Sequence, residues 1–72
     1  MKKIKKIKIK LNGKPIFLPI GTSVYKVIKK NKLQPNKIAI EINKEIINKK
    51  KINRIFLKND DRIEIVHFIG GG

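Results

Sequence analysis

A strict alternation of apolar and cationic residues that ends in Asn12-Gly13 constrains the fold more than any other part of the sequence. Residues 7–11 read Ile-Lys-Ile-Lys-Leu, so one face of a strand is apolar and the other is cationic. Asn-Gly favours a tight hairpin turn, because both residues tolerate a positive φ. Residues 14–19 are then the returning strand, and two prolines near its ends suit the edge of a sheet. The apolar residues expected in the core are Ile7, Ile9 and Leu11.

A helix is predicted to follow this hairpin. Thr22 is placed to cap its first turn by accepting hydrogen bonds from free backbone amides. Helical spacing then puts three apolar residues on one side of the helix, Val24, Val27 and Ile28. Residues 34–36 read Gln-Pro-Asn and interrupt this pattern, so the helix is expected to end near Asn31 or Lys32.

The remaining apolar segments predict three more strands. Residues 38–42 alternate as a third strand, residues 45–47 follow a short turn as a fourth, and residues 62–68 are the last. Residues 48–54 are polar and basic and give no pattern, while residues 55–57 are expected to form a short helical turn that plugs one end of the core. The order predicts an α+β fold of the β-grasp, or ubiquitin-like, type, with a mixed four- to five-stranded sheet and one helix packed on one face.

The last predicted strand supplies candidates for a contact surface. A sheet that is covered on one side leaves the other face open, and the phase of the apolar residues decides which side chains lie there. Ile63 and Ile65 continue the core phase. The side chains expected on the open face are Glu64, Val66 and Phe68. Val66 and Phe68 are therefore candidates for a partner interface, and the alternative is that they complete a second small core.

His67 is the only histidine of the chain and lies five residues from its end. It is also a partner-interface candidate, and two roles are open to it. It can serve as a base in acyl transfer near the end of the chain. It can instead pack or hydrogen-bond at the end of the strand, which the sequence favours because no second catalytic group accompanies it.

The sequence ends in Ile69, Gly70, Gly71 and Gly72, which are predicted to form a flexible tail after a β-grasp domain of residues 1–68. Three glycines add nothing to a core, so the tail is either a frayed end or a functional arm. Fully extended, four residues carry the terminal carboxylate roughly 14 Å beyond the sheet. A carboxylate must be activated before it reacts, and the chain has no Gly-rich phosphate-binding loop, so the activating chemistry is expected in another protein.

Two segments carry a resemblance to a known family. Residues 43–47 read Asn-Lys-Glu-Ile-Ile, and residues 61–72 read Asp-Arg-Ile-Glu-Ile-Val-His-Phe-Ile-Gly-Gly-Gly. With the length and the element order, they resemble the ThiS family of sulfur carriers in thiazole and thiamine biosynthesis. The resemblance implies that an E1-like, ThiF-type enzyme adenylates Gly72 with ATP, that a cysteine desulfurase relay supplies sulfur for a thiocarboxylate, and that a ThiG-type thiazole synthase receives it.

A related carrier family, that of molybdopterin synthesis, shares the fold and the Gly-Gly ending. The short chain and the ending His-Phe-Ile-Gly-Gly-Gly fit the thiazole family better. Purification of the chain together with thiazole synthase, and not with the large subunit of a molybdopterin synthase, distinguishes the two.

The formal charge of +14 suggests a second class of function, an RNA-binding β-grasp module. Lys6, Lys8 and Lys10 would share one face of the first strand. Against this, the 17 lysines, 16 isoleucines and 7 asparagines all use AT-rich codons, and no aromatic residues are interleaved among the lysines as a stacking platform requires. Nucleic acid is therefore not the expected partner. If RNA does bind, its affinity should fall steeply with salt and survive deletion of Gly71 and Gly72.

The residue inventory also argues against an enzyme with its own active site. The chain has one histidine, no cysteine and five acidic residues, which assemble no recognisable triad or metal site. No catalytic residue, bound cofactor or metal is expected. Without cysteine, a signal-peptide core or an apolar stretch that could span a bilayer, the chain is predicted to be cytoplasmic and free of the membrane.

Overall fold

The computed structural model describes residues 5–68 and builds them around one mixed sheet. Within these residues the chain forms five strands, one α-helix and two short 3-10 helices. The strands are β1 (Lys6–Leu11), β2 (Lys14–Pro19), β3 (Ile38–Ile42), β4 (Glu45–Ile46) and β5 (Arg62–His67), the α-helix is α1 (Val24–Lys30), and the 3-10 helices span Pro35–Lys37 and Lys49–Lys51. In this part of the chain, no helix is long and apolar enough to cross a membrane.

The strands lie in the order β2-β1-β5-β3-β4. Strands β1 and β5 are parallel, and every other neighbouring pair is antiparallel. The prolines of β2, Pro15 and Pro19, lie on an edge strand as expected, where a missing amide donor costs no ladder hydrogen bond. Strand β4 is one residue shorter than predicted and β5 ends at His67, although the Phe68 amide still donates to the Lys37 carbonyl at 3.0 Å.

Two-residue turns close both hairpins of the sheet. Asn12 and Gly13 have φ values of 50° and 84°, as the Asn-Gly pair predicted. Asn43 and Lys44 connect β3 to β4 with φ values of 51° and 71°. Both central residues of each turn are left-handed, which matches the right-handed twist of the flanking strands. Lys44 therefore occupies a conformation that favours glycine.

Ser23, and not Thr22, caps helix α1, so the predicted cap is wrong by one residue. The Ser23 hydroxyl accepts a hydrogen bond from the Lys26 amide at 3.2 Å. The Thr22 hydroxyl instead donates to the Pro19 carbonyl at 2.6 Å and fixes the turn that leads out of β2. The helix ends at Lys30 with Asn31 as its C-cap, in agreement with the predicted end.

The core lies between α1 and one face of the sheet and consists of aliphatic side chains. Its buried members are Ile7, Ile9, Leu18, Val24, Val27, Ile28, Ile38, Ile40, Ile42, Ile52, Leu57, Ile63 and Ile65. Leu11, which was expected among them, is only partly buried and packs against this cluster. Strands β1, β3 and β5 contribute alternate residues, because successive side chains of a strand point to opposite faces.

The helical turn predicted for residues 55–57 is absent from the structure, and an extended segment occupies the place. Phe56 pairs with Ser23 in an isolated antiparallel bridge. The Val24 amide donates to the Ile55 carbonyl, and the Leu57 amide to the Thr22 carbonyl, both at 2.9 Å. A helical turn here would leave these groups at the start of α1 without partners. Leu57 is only 3% exposed, so the segment still plugs the core as predicted.

Asparagine side chains extend the hydrogen-bond ladder of the sheet where the strands run out of backbone partners. The Asn12 side chain accepts from the Ile65 amide at 2.7 Å and donates to the Ile65 carbonyl at 3.3 Å. Asn43 accepts from the Arg62 amide at 3.0 Å. These contacts hold β5 against both of its hairpin neighbours.

We expect Asn12→Gly to destabilise the fold by about 1–3 kcal/mol, the usual cost of leaving a partly buried donor without its partner. Glycine keeps the left-handed turn but removes both hydrogen bonds to Ile65. Urea unfolding followed by circular dichroism measures the change.

Lys44→Gly is the matched control, because it introduces the same flexibility in the other two-residue turn and relieves a lysine at a φ of 71°. Its stability should equal or exceed that of the parent chain. Equal losses in the two variants would show that the Asn12 side chain adds nothing beyond its backbone conformation.

Candidate functional site

The candidate site lies at the end of β5, from which the predicted tail continues. Strand β5 starts between β1 and β3, but its ladder with β1 covers only Arg62 and Ile63, opposite Lys10 and Leu11. The Asn12 side chain extends this support to Ile65. Beyond that point, β3 is the strand that β5 continues to pair with. At its C-terminal end, just before the predicted tail, β5 is therefore paired with β3 only.

The predicted division of β5 into two faces is confirmed. Ile63 and Ile65 are buried, whereas Glu64, Val66 and Phe68 are exposed. Val66 and Phe68 are each 58% exposed, so they do not form a second small core. Their role in a partner interface remains a prediction.

Neighbouring strands add residues to the same open face. Val66 lies opposite Ala39 of β3, and Glu41 of β3 lies opposite both Glu64 and Ile46 of β4. Directly opposed residues of a sheet project to the same side. Ile46 is 80% exposed. We call Ala39, Ile46, Val66 and Phe68 the open-face patch.

His67 lies on the other side of the sheet from the open-face patch. It is exposed and pairs with Ile38, whose side chain is fully buried under the helix. The structure thus brings Val66 and Phe68 together on one face and separates His67 from them. Within residues 5–68, no group of three or more His, Cys, Asp or Glu side chains is placed to hold a metal ion.

Lys49 contacts the base of the predicted tail, and sequence reasoning missed it. Its Nζ donates to the Ile38 carbonyl at 2.9 Å and lies 5.2 Å from the centroid of the Phe68 ring. The residue belongs to the lysine-rich segment 48–54, in which no sequence signal distinguishes one lysine from the next. Ile69, Gly70, Gly71 and Gly72, the predicted tail, lie outside the described residues.

The β1 side of the open face is cationic, as the alternation predicted. Lys6, Lys8 and Lys10 are all exposed. Phe17 of β2 lies directly opposite Lys8 and is 66% exposed, so an aromatic ring does sit among these lysines. Sequence analysis did not reveal that Phe17 lies beside Lys8, because strand pairing joins residues that are separated along the chain.

The chain is similar to proteins of one family. The ThiS family model matches residues 5–72. The sulfur carrier protein ThiS of Bacillus subtilis is 42% identical over 65 residues, which cover 89% of this chain and 98% of that protein. A thiamine biosynthesis protein (ThiS) from Geobacter metallireducens has a crystal structure that matches with a TM-score of 0.78 and 25% identity, covering 92% of this chain and 100% of that one. The predicted α+β fold of the β-grasp type is confirmed.

A longer relative is also similar. The thiazole synthase of Magnetococcus marinus is 39% identical over 66 residues, which cover 92% of this chain. The match covers 20% of that protein, so the chain spans about a fifth of its length.

Neighbouring residues of β5 provide a test of the two-faced strand. Val66→Thr should change the free energy of unfolding by no more than about 0.5 kcal/mol, as expected for an exposed site. Ile65→Thr should cost about 2 kcal/mol or more, because it removes buried apolar atoms and buries a hydroxyl. Both substitutions keep a β-branched residue in the strand, so a difference in urea denaturation does not arise from strand propensity. Similar losses at the two positions would contradict the assignment of an open face.

Proposed function

The chain belongs to the ThiS family and is a sulfur carrier of thiamine biosynthesis, and from this premise we propose that it carries the sulfur as a thiocarboxylate on Gly72. The observation that carries the proposal is the family match, which runs through β5 and the following glycines to residue 72. The same match favours the thiazole pathway over the molybdopterin pathway, the alternative that shares the fold.

The proposed chemistry begins with a carboxylate that does not react by itself. One oxygen of the Gly72 carboxylate attacks the α-phosphorus of ATP, and pyrophosphate leaves. A sulfur nucleophile then attacks the carbonyl carbon of the acyl adenylate, and AMP leaves. With sulfide as the nucleophile, the product is a thiocarboxylate directly. With a persulfide of the relay, the product is an acyl disulfide, and a thiol reductant then breaks its S–S bond to release the thiocarboxylate. The thiocarboxylate sulfur is the nucleophile that the next enzyme uses.

We assign the activation to an E1-like, ThiF-type enzyme and the sulfur supply to a cysteine desulfurase relay, so the chain itself acts as a carrier and not as an enzyme. The composition supports this division, because a chain without cysteine has no thiol on which to hold sulfur. Three successive glycines also suit entry into a narrow active site, since no β-carbon crowds the reacting carbonyl. ATP is thus a substrate of the activating enzyme. A cytoplasmic location fits this use of ATP.

Thiazole synthase is the proposed recipient of the sulfur. The Magnetococcus relative supports this assignment, because a segment similar to this chain is part of a protein that bears that name. A carrier segment within the acceptor protein has a high effective concentration at the acceptor site.

The open-face patch is the proposed docking surface for these enzymes. It includes Val66, at the end of the strand that leads into the tail, so a partner that binds the patch also receives the tail. Exposed apolar side chains at this position suit the buried centre of a transient interface.

Intact mass spectrometry tests the thiocarboxylate directly. The chain is incubated with its cognate adenylating enzyme, ATP and sulfide, which supplies sulfur without a reduction step. We expect a gain equal to the mass difference between one sulfur and one oxygen atom, located on the C-terminal peptide. The unreacted mass also establishes whether Gly72 is the last residue, which the proposal requires.

Two variants act as controls for this reaction. Deletion of Gly71 and Gly72 should abolish the mass gain, and so should one alanine added after Gly72, because either change misplaces the reacting carbonyl. Both variants should unfold at the same urea concentration as the parent chain. A full mass gain in the deletion variant would refute the assignment of Gly72.

Val66→Arg should raise the KM of the adenylation reaction for the carrier roughly tenfold, which corresponds to about 1.4 kcal/mol of lost binding. An arginine at the centre of an apolar interface loses its hydration without gaining a partner. Ile20→Arg is the matched control, since Ile20 is an apolar residue that is 62% exposed and lies in the turn after β2. If both substitutions raise KM equally, the added charge and not the patch is responsible.

A further inference from the structure

We propose that Lys49 is a positioning residue for the tail, because it fixes the ring of Phe68 and thereby the direction in which the backbone passes into residue 69. The inference rests on the proposed function, in which that tail carries the reacting carbonyl. In this proposal Lys49 acts through Phe68 and not on the reacting carbonyl of Gly72.

Two contacts of a single ammonium group carry the inference. The Lys49 Nζ donates to the Ile38 carbonyl at 2.9 Å, and the same atom lies 5.2 Å from the centroid of the Phe68 ring. An ammonium within about 6 Å of an aromatic centroid is attracted by the negative face of the ring. Lys49 is half-buried, which strengthens both contacts relative to a fully solvated lysine.

The Ile38 carbonyl lies at the end of β3 that extends beyond its neighbour β4. Strand β4 pairs with Glu41 and Ile42, and the Ile47 amide reaches back to the Ile40 carbonyl at 2.9 Å. The lysine ammonium therefore continues the row of donors along β3 after the β4 backbone has turned away. This hydrogen bond ties the lysine to a strand whose first residue is fully buried.

Phe68 is the last residue that the structure describes, and it directly precedes the predicted tail. Its amide donates to the Lys37 carbonyl at 3.0 Å, while its ring is 58% exposed. A ring with so much free surface would sample several rotamers if no neighbour held it. The contact with Lys49 favours one of them at the residue that precedes the tail.

The backbone around Lys49 is itself well held. The Asn48 side chain accepts from the Lys50 amide at 2.9 Å and caps the 3-10 helix of Lys49–Lys51. Ile52, directly after this helix, is 5% exposed and belongs to the core. The ammonium is thus anchored through its own segment to the body of the fold, and it transmits that order to Phe68.

Preorganisation of this kind should affect binding more than chemistry. A tail that leaves the sheet in one direction loses less conformational entropy when it enters a partner's active site. The reacting carbonyl lies four residues beyond Phe68, so the bound complex should react at an unchanged rate. We expect Lys49→Met to raise the KM of adenylation about threefold to tenfold and to leave kcat unchanged.

The variant series separates position from charge. Methionine at position 49 keeps an unbranched side chain but removes the donor and the charge. Lys49→Arg retains both and can stack on the ring, so its KM should be closer to the parental value than that of Lys49→Met. Lys50→Met removes the same charge from an exposed neighbour and should leave KM within twofold of the parent. Lys50→Met should share the parental urea midpoint, whereas Lys49→Met should lower the midpoint slightly, because it removes a hydrogen bond and a cation-π contact, and should stay folded under the assay conditions. The proposal is overturned if Lys49→Met and Lys50→Met have equal KM values, or if Lys49→Met lowers kcat.

Proton NMR of the free carrier gives a readout that does not depend on any enzyme. The methylene protons next to the Lys49 ammonium should be shifted upfield by the Phe68 ring, and Phe68→Leu should remove the shift. Random-coil shifts for these protons in the parent chain would overturn the proposal. If the parent forms no thiocarboxylate, the proposed function fails, whereas the NMR result still decides whether Lys49 fixes the ring.

Discussion

The pairing of β5 with two strands of opposite direction is the constraint on which the rest of the structure depends. Strand β5 places Ile63 and Ile65 at the centre of the core, between the contributions of β1 and β3. It is also the strand from which the tail continues. The first residues of β5 pair with both neighbouring strands, whereas its last residues pair with β3 alone. The strand is thus held most firmly at the core and has one paired side where it approaches the predicted tail.

Sequence reasoning succeeded where local chemistry decides the structure. Alternation identified the strands and their buried faces, and Asn12-Gly13 identified the hairpin, since each signal acts within a few residues. Sequence reasoning failed where a residue that is distant along the chain determines the local conformation. Either Thr22 or Ser23 has the hydroxyl that a cap needs, and the choice follows from the bond between Thr22 and Pro19. Residues 55–57 are extended because the start of α1 pairs with them, which no local pattern reveals.

The amino-acid composition explains only in part why lysine and asparagine occur where they do. The abundance of lysine, isoleucine and asparagine fits AT-rich codons, yet five of the seven asparagines have side chains that bond to the backbone, namely Asn12, Asn31, Asn43, Asn48 and Asn59. A short amide that both donates and accepts can replace a missing backbone partner at a strand end or helix end. A bias toward AT-rich codons can supply asparagines, but at these five positions the side chain makes a specific hydrogen bond. The same holds for Lys49, the one lysine of its segment seen bound to both a carbonyl and a ring.

The candidate site follows the same division between local and distant causes. Alternation predicted that Val66 and Phe68 face outward, whereas the contact with Lys49 depends on how segment 48–54 packs along β3. The lysines themselves indicate where the surface is constrained. On the open face, β1 carries Lys6, Lys8 and Lys10 and β5 begins with Arg62, but the other open-face positions of β3, β4 and β5 carry alanine, isoleucine, valine and glutamate. If a bias toward AT-rich codons alone placed lysine at exposed positions, these sites would be expected to carry lysine too. Its absence from the positions of Ala39, Ile46 and Val66 keeps the open-face patch apolar, which the proposed docking surface requires.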